Sequence, residues 1–404
     1  MSPSGRRAPQ LVLASGALTI AISLGIRHGF GLFLQPVSME GGWGREVFAL
    51  AIAVQNLVWG LAQPVMGLAA DRIGAGKVVL VGAVFYVLGL LAMAYPQGAT
   101  GFVLSAGVLV GLGLSGTAFP IVFGAIGRAV SPARRSLAMG IAMSVGSFGQ
   151  FVMLPGTLGL MEWLGWSGAL MALSVVAGAM VPLAAALFER TARTGPSGNL
   201  PVGEAVRAAL GHAGFRLLAL GFFVCGFQVV FIGTHLPAFL ADKGLPLSVG
   251  TTVLALVGLA NVAGCYAAGL WGDCCRKPLL LSGIYLARAV AIAAFLLLPV
   301  TAWSAYAFGI AIGLFWLNTA PLTNGTIASL FGVGNLSMLG GIVFLAHQLG
   351  SFFGGWLGGY LYDRLGSYDA VWFTAIGLSL VASALNLPIS EGSAKRLGTA
   401  EASA

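Results

Sequence analysis

The segment GLAADRIGAGK, residues 67–77, is an abrupt group of charged residues between two long apolar runs. Gly67 and Gly74 allow a sharp chain reversal and close helix approach. Asp71 is suited to a position beside helix N-termini, where the helix dipole favours a negative charge. Arg72 and Lys77 favour the cytoplasmic side of a membrane. The segment predicts a tight cytoplasmic turn between two membrane helices.

A weaker copy of this segment, GLWGD, occupies residues 269–273. Asp71 and Asp273 are 202 positions apart in a chain of 404 residues. Further matches join Asn56 to Asn261, and the stretch 113–120 to the stretch 313–321, with offsets of about 200 to 205 residues. An internal duplication explains these matches. The prolines in the stretches 113–120 and 313–321 predict kinked helices.

The composition predicts that most of the chain lies in a lipid bilayer. Hydrophobic residues make up 58% of it and charged residues only 8%. Sixty-one glycines suit helices that pack closely within a membrane. A spanning helix needs about 20 largely apolar residues. Twelve runs meet this need and predict an all-α membrane protein with twelve transmembrane helices, here numbered spans 1 to 12: 11–34, 46–69, 78–95, 101–126, 136–158, 166–188, 216–240, 249–271, 278–298, 303–327, 337–360 and 371–389.

The basic residues give the orientation. With the N-terminus inside, the cytoplasmic loops hold 15 of the 20 Lys and Arg residues, while the opposite loops hold Arg45, Lys243 and Arg364. Both termini are therefore expected in the cytoplasm, in a multi-pass protein of the cytoplasmic (inner) membrane. No basic patch interleaved with aromatics indicates nucleic-acid binding. The cytoplasmic residues are Arg6, Arg7, Arg72, Lys77, Arg128, Arg134, Arg135, Arg190, Arg193, Arg207, Arg216, Arg276, Lys277, Lys395 and Arg396.

The longest polar interruption, residues 189–215, predicts a linker between two six-helix bundles at 1–188 and 216–390, with a cytoplasmic tail at 391–404. Within the linker, the spacing from Pro201 to His212 suits a short helix of mixed polarity. A helix lying at the membrane interface and a partly ordered linker both fit this pattern. The first apolar run lacks a small-residue cleavage site and predicts a retained helix rather than a signal peptide.

The remaining composition argues against an enzyme. Cys225 and Cys265 fall within spans, Cys274 and Cys275 share a loop, and neither arrangement indicates a disulfide framework or a metal site. All twelve acidic residues lie in or next to loops, and there is no G-x-x-x-x-G-K-[ST] stretch. We expect no cofactor, no metal and a gradient or an exchange as the driving force.

The pattern Gly67-x-x-x-Asp71-Arg72-x-Gly74-x-x-Lys77 resembles the signature loop of the major facilitator superfamily. Gly76 departs from it, because the family usually has a basic residue there, and Cys274 departs likewise after Asp273. The resemblance implies two pseudo-symmetric bundles that alternate between inward- and outward-open states. It also implies that a conformational-switch loop governs this cycle without touching substrate, through Gly67, Asp71, Arg72, Gly74, Lys77, Gly269 and Asp273.

Charged residues within the spans are the substrate-binding candidates, because charge is costly in a bilayer. Arg27 ends a four-residue repeat with Ser15, Thr19 and Ser23 that forms one polar stripe on span 1. The superfamily resemblance implies that span 1 lines the central cavity. Unpaired positive charge there suggests an anionic substrate. An Arg27 side chain that extends to the outer membrane interface is the alternative.

The other substrate-binding candidates each have a structural alternative. For His28, proton carriage and an interhelical hydrogen bond are both open. For Arg288, in the middle of span 9, direct substrate binding and bonding to helix-end carbonyls are both open. The remaining candidates have interhelical hydrogen bonding or packing as the alternative, and they are Gln228, His235, Asn318 and His347.

Within the superfamily, three stretches are similar to the monocarboxylate porter and oxalate:formate antiporter group: residues 27–34, 42–45 and 362–368. By this resemblance His28 falls where many such carriers have a lysine. Asn261 and Cys265 fall where they have an acid and an arginine, which removes the group's main carboxylate-binding arginine.

We therefore expect a monomeric secondary transporter of a small, monocarboxylate-like organic anion, driven by proton coupling or exchange. The alternatives are an exporter of amphipathic or neutral compounds and a sensor built on a carrier scaffold.

Overall fold

The computed structural model describes residues 8–43, 45–95, 98–188 and 201–391. In the first half of the chain the helices are α1 (Pro9–His28), α2 (Leu34–Glu40), α3 (Arg45–Ile73), α4 (Ala75–Ala94), α5 (Gly98–Phe102), α6 (Val110–Thr117), α7 (Phe119–Ala129), α8 (Arg135–Gly178) and α9 (Met180–Ala186). A 3-10 helix, Gly29–Phe33, joins α1 to α2, a π-helical stretch, Val103–Leu109, joins α5 to α6, and a 3-10 helix, Pro132–Arg134, precedes α8.

In the second half the helices are α10 (Val202–Gly211), α11 (Ala213–Asp242), α12 (Leu247–Cys274), α13 (Lys277–Leu297), α14 (Ala302–Gly313), α15 (Thr319–Phe331), α16 (Leu336–Leu365) and α17 (Asp369–Asn386). The short helix predicted from Pro201 to His212 is thus present as α10. The helix of span 7 begins at Ala213, three residues before the predicted position 216. The other predicted linker positions, 189–200, and the tail beyond 391 lie outside the described residues.

The twelve predicted spans are confirmed, and several of them are interrupted by short irregular stretches. Ten regions among the described residues are long and apolar enough to cross a membrane. One of these, Pro132–Ala186, contains two crossings separated by Gly165, whose backbone φ is 69°. A further crossing is divided between α14 and α15, neither of which is long enough alone. The result is an all-α membrane fold.

Spans 4 and 10 are interrupted where the prolines predicted kinks. Between α6 and α7, Ala118 is extended (φ −74°, ψ 165°), and Pro120 follows in the first turn of α7. Between α14 and α15, residues 314–318 leave the helix, and Pro321 lies in the first turn of α15. Both prolines stand where the missing N–H is tolerated. Each half of the chain therefore has one broken helix at the equivalent place.

The internal duplication extends to individual contacts. The hydroxyl oxygens of Ser23 and Thr117 are 2.8 Å apart, and the Sγ of Cys225 is 3.2 Å from Oγ1 of Thr319. The members of each pair are 94 residues apart, and the two pairs are offset by 202 residues. The same tie between the first helix and the broken helix thus recurs in both halves.

Two aspartates link the halves at one end of the molecule, here called the latch face. Asp71, in the last turn of α3, accepts hydrogen bonds from the backbone N–H groups of Ser337 (3.2 Å) and Met338 (2.8 Å) at the start of α16. Arg128 Nη1 also lies 2.8 Å from Asp71 Oδ1. Carboxylates at helix N-termini stabilise the free N–H groups and the helix dipole. The predicted place of Asp71 beside helix N-termini is confirmed.

Asp273 makes the reciprocal contact. Its carboxylate accepts from the N–H groups of Ser136 (2.8 Å) and Leu137 (3.1 Å), at the start of α8. Near this cap, Gly140 and Gly269 let α8 and α12 pack closely. A Cβ on Gly140 would lie 2.6 Å from the Cα of Gly269, too close for a larger residue. Each half therefore caps a helix of the other, and the two caps are related by the duplication.

Contact between the halves continues from the latch face to mid-molecule. Ser144 Oγ donates to the carbonyl of Val262 (2.9 Å), and Asn261 Nδ2 donates to Ser147 Oγ (2.7 Å). On the other side, Gln348 Nε2 donates to the backbone oxygen of Asn56 (3.2 Å). Among the described residues, the hydrogen bonds between the halves therefore all lie between the latch face and the middle of the molecule.

Candidate functional site

Arg27 lies near the end of α1 and has an incomplete set of partners. Its Nη2 donates to Oδ1 of Asn56 on α3 (3.0 Å), which is a neutral amide. Its Nε is buried and has no hydrogen-bond partner. Within the described part of the chain, no carboxylate pairs with Arg27. Because a guanidinium has five donors and a full charge, this group favours an anionic acceptor.

A chain of polar contacts leads from Arg27 into the second half. Asn56 receives Arg27 on its side chain and Gln348 of α16 on its backbone oxygen. Next to Gln348, the Nδ1 of His347 is 3.3 Å from Gln348 Oε1 and 3.4 Å from Ser351 Oγ. Within this series of polar contacts, Asn56 bonds both to Arg27 and to Gln348 of the opposite half.

Three aromatic side chains lie at the same interface and are here called the aromatic floor: Trp59, Phe119 and Phe344. The Phe344 ring centroid is 4.9 Å from that of Trp59 and 5.2 Å from that of Phe119. His347 stacks on Phe344 at 5.3 Å. Trp59 lies about one helical turn from Asn56 toward the latch face. An apolar surface beside a few polar groups is the usual composition of a small-molecule site.

The rest of the polar stripe on α1 does not continue this site. Ser15, Thr19 and Ser23 are all buried. Thr19 donates to the carbonyl of Ser15, and Ser23 pairs with Thr117 inside the first half. The hydroxyls of Thr19 and Ser23 are satisfied within the bundle, because Ser and Thr readily bond to nearby backbone and hydroxyl groups. Only Arg27 extends the stripe to the interface between halves.

Arg288 is fully buried, and its guanidinium lies on the interruption of the broken helix. Its Nε and Nη2 donate to the carbonyl of Phe315 (2.8 and 2.5 Å), and Nη2 also donates to that of Trp316. Its Nη1 donates to Oε1 of Gln228 (3.2 Å). These carbonyls follow the C-terminus of α14, where a positive charge is favourable. The geometry is that of an arginine bonding to helix-end carbonyls.

Gln228 and Asn318 belong to this second group of residues. Gln228 Nε2 donates to the carbonyl of Ala375 (3.0 Å) and to Ser379, which connects α11 to α17. Asn318 Nδ2 donates to the carbonyl of Leu314 (2.8 Å), across the helix interruption. The Oδ1 of Asn318 is buried without a partner. Both side chains are mainly engaged in holding helices together.

Two of the predicted histidines lie apart from the Arg27 group. His28 is exposed, and its Nδ1 is 2.8 Å from the carbonyl of Leu24 in its own helix. His235 Nε2 is 2.9 Å from the carbonyl of Gly355, and its ring lies 5.8 Å from Phe231 and 5.5 Å from Tyr368. Of the predicted substrate residues, hydrogen bonds connect Arg27 to His347 through Asn56 and Gln348. Others connect Arg288 to Gln228 directly and to Cys225.

Asn56 and Gln348 complete this group. The sequence shows both as amides within spans, but only the three-dimensional pairing of α3 with α16 brings Gln348 to Asn56, which in turn contacts Arg27. Asn261 bonds to Ser147 and accepts from the N–H of Leu317 (2.9 Å). The positions where the monocarboxylate group has an acid and an arginine therefore hold a neutral interhelical contact here.

The sequence agrees with this architecture. A model described as Major Facilitator Superfamily matches residues 11–354. The chain belongs to the major facilitator superfamily. It is a transporter and not an enzyme.

Relatives in the superfamily include two monocarboxylate transporters and an uncharacterized transporter. Monocarboxylate transporter 11 of Mus musculus is 28% identical over 384 residues, covering 89% of this chain and 82% of the relative. Monocarboxylate transporter 13 of Rattus norvegicus is 27% identical, covering 92% and 86%. The uncharacterized transporter YcxA of Bacillus subtilis (strain 168) is 24% identical, covering 93% and 95%.

Solved structures show the same superfamily fold. The fucose:proton symporter FucP of E. coli matches with a TM-score of 0.71 and 12% identity, over 93% of this chain and 97% of the other. FucP in an outward conformation gives a TM-score of 0.73 with 10% identity, over 94% and 97%.

Proposed function

We propose that this transporter carries a small organic anion, such as a monocarboxylate, and binds its carboxylate at Arg27. The observation that carries the proposal is the half-buried guanidinium whose described partner is a neutral amide and whose Nε is unpaired. A carboxylate bound there would supply both the missing acceptor and the missing charge. The similarity to monocarboxylate transporters 11 and 13 supports the same substrate class.

The surroundings suit an anion with a short apolar body. The carboxylate would bind Arg27 in competition with Asn56, and the remainder would lie against the aromatic floor. His347 stacks on this floor and contacts Gln348, so a second polar group of the substrate would meet these two side chains. Binding favours whichever conformation offers the better set of contacts, and this difference is what drives alternating access.

We infer that the latch face is cytoplasmic, because the positive-inside rule places the loop of Arg72 and Lys77 there. The state described here would then be closed to the cytoplasm by the Asp71 and Asp273 caps and separated on the outer side. The two bundles proposed at 1–188 and 216–390 would rock about the contacts at mid-molecule. Transport would be coupled to protons or run as an exchange.

Binding can be tested on purified protein with a thermal-shift screen of mono- and dicarboxylates, because a ligand that prefers the folded state raises its stability. At a ligand concentration of 100 Kd, the stabilisation is about 2.7 kcal/mol. We expect wild-type protein to respond to at least one carboxylate and Arg27→Ala to lose this response. The corresponding neutral amides serve as matched control ligands.

Counterflow in proteoliposomes then tests transport. Arg27→Lys keeps the charge but loses the planar donor pair, so we expect it to retain partial activity. Arg27→Ala should abolish counterflow of the anion. Wild-type levels of anion transport in Arg27→Ala would refute the proposal. Stabilisation only by neutral amphipathic compounds would favour an exporter, and binding without counterflow would favour a sensor.

A further inference from the structure

The end of α12 carries two adjacent cysteines, Cys274 and Cys275, and both are exposed. Their sulfur atoms are 3.6 Å apart. The Sγ of Cys274 is also 3.5 Å from the carbonyl of Trp271, as expected of a weak thiol donor at a helix end. The other two cysteines, Cys225 and Cys265, are buried. The protein therefore has one accessible pair of thiols.

The spacing of these sulfurs suits two ligands of one ion. Two sulfur atoms bound at about 2.3 Å to one centre lie roughly 3.3 Å apart at the bond angle of about 90° of a pyramidal trivalent centre, and roughly 3.8 Å apart at the tetrahedral angle. The observed separation of 3.6 Å falls between these two values. A disulfide is a poorer fit, because adjacent Cα atoms are about 3.8 Å apart, below the usual range of roughly 4.4–6.8 Å for a disulfide. Such a bond would be strained and readily reduced.

The ligand set selects the kind of ion. Two thiolates favour soft, thiophilic centres over magnesium or calcium, which require oxygen ligands. No group of three or more His, Cys, Asp or Glu side chains that could hold a metal occurs in the described part of the chain. Two thiols supply two bonds to such a centre, fewer than the four ligands of a typical structural metal site.

The location of the pair connects it to the latch. Cys274 directly follows Asp273, whose carboxylate caps α8 through Ser136 and Leu137. The N–H of Cys275 donates to the carbonyl of Trp271 (2.8 Å), so the pair forms the last turn of α12. A ring closed through both sulfurs would restrict the backbone of this turn. It would thereby hold Asp273 in its capping position.

We propose that Cys274 and Cys275 form a two-thiol site for a trivalent arsenical, which they hold through two covalent As–S bonds, and that occupancy keeps the Asp273 latch closed. With an organoarsenous acid, two S–H and two As–O bonds break while two As–S and two O–H bonds form. Two water molecules leave, and arsenic stays trivalent, so no oxidant is needed. The site and its regulation are independent of the anion that the transporter carries.

The probe for the site is phenylarsine oxide, added to purified full-length protein and followed by intact mass spectrometry. We expect one adduct per chain, with two thiol hydrogens lost, that is removed by 2,3-dimercaptopropanol and resists a monothiol. Cys274→Ser and Cys275→Ser should each abolish the adduct. Cys225→Ser and Cys265→Ser, which remove buried thiols, are the matched controls and should retain it. An adduct that persists in Cys274→Ser, or that a monothiol removes, would overturn the two-thiol site.

A second measurement tests the regulation. Hydrogen exchange at the start of α8, which Asp273 caps through Ser136 and Leu137, reports whether the latch is closed, and wild-type protein is compared with Cys274→Ser. We expect the arsenical to slow exchange there at least threefold in wild-type protein and to leave Cys274→Ser unchanged. Equal exchange with and without bound arsenical would overturn the effect on the latch.

Discussion

Replacing Asn56 by aspartate tests whether Arg27 is an anion site. The Nη2 of Arg27 lies 3.0 Å from Oδ1 of Asn56, so Asn56→Asp places a carboxylate where the amide oxygen now lies. At a charge separation of about 4 Å and an effective dielectric constant of about 20, the attraction is roughly 4 kcal/mol. Desolvation of the new carboxylate offsets part of this energy. We take about 2 kcal/mol as the net preference of Arg27 for the new partner.

A substrate carboxylate must displace that partner before it can bind Arg27. A penalty of about 2 kcal/mol weakens binding roughly 30-fold. We therefore expect Asn56→Asp to raise the Kd for the best carboxylate about 30-fold in a thermal-shift titration. The apparent KM of counterflow should rise in parallel. The hydrogen bond from Gln348 is directed to the backbone of residue 56, so the contact between halves should survive the substitution.

Asn56→Leu is the matched control, since it removes the same acceptor without adding charge. The leucine variant should bind carboxylates within about threefold of wild type, because it leaves Arg27 uncompensated. Equal affinities for wild type, Asn56→Asp and Asn56→Leu would refute the role of Arg27. A loss of binding in Asn56→Leu as large as in Asn56→Asp would assign the effect to structure rather than charge.

Three further predictions concern the latch and the broken helix. Arg288→Met should destabilise the protein by about 3 kcal/mol, because the carbonyls of Phe315 and Trp316 lose their donors. A lowered melting temperature of the ligand-free protein checks this. Unchanged stability with selective loss of anion binding would instead make Arg288 a substrate residue. Asp71→Asn and Asp273→Asn should each weaken the latch by about 1 kcal/mol. Double electron–electron resonance can follow this with spin labels at Ala133 and Ser329, exposed residues of opposite halves at the latch face, in a Cys274→Ser/Cys275→Ser background. The population with the two labels far apart should be larger in the double aspartate variant than in either single one. Gly140→Leu should separate α8 from α12 at the latch face and give the same shift in the resonance experiment, whereas Gly156→Leu, where a Cβ meets no atom within 4 Å, should give none.

The sequence predicted the fold almost completely, because its signals are local or repeated. Apolar runs predict spanning helices, and the copy of GLAADRIGAGK at residues 269–273 predicts the duplication. Even the interruptions of spans 4 and 10 follow from prolines at equivalent places. The crossed partners of Asp71 and Asp273 do not follow from their own surroundings, since Ser337 and Ser136 lie in distant parts of the chain.

The candidate site was less predictable for the same reason. Arg27 is conspicuous as a charge within an apolar run, but its neighbour Asn56 is 29 residues away and Gln348 is 292 residues beyond Asn56. A helical stripe shows which residues share a face, but it does not show what that face contacts. Ser15, Thr19 and Ser23 share the face of Arg27, yet they are buried within the first bundle. Arg288 shows the converse, because the carbonyls it binds become available only where the helix is broken.

The two caps at the latch face bear on the return of the empty carrier. Opening that face requires both capped helix ends to lose their carboxylates, at about 1 kcal/mol for each cap. When the carrier is loaded, contacts with the substrate in the opposite state can offset this barrier, and when it is empty they cannot. The stronger the caps are, the more slowly the unloaded protein reorients and the more exchange outpaces net flux. Asp71 and Asp273, through their caps at the latch face, would thus help to set whether the protein accumulates its cargo or trades it.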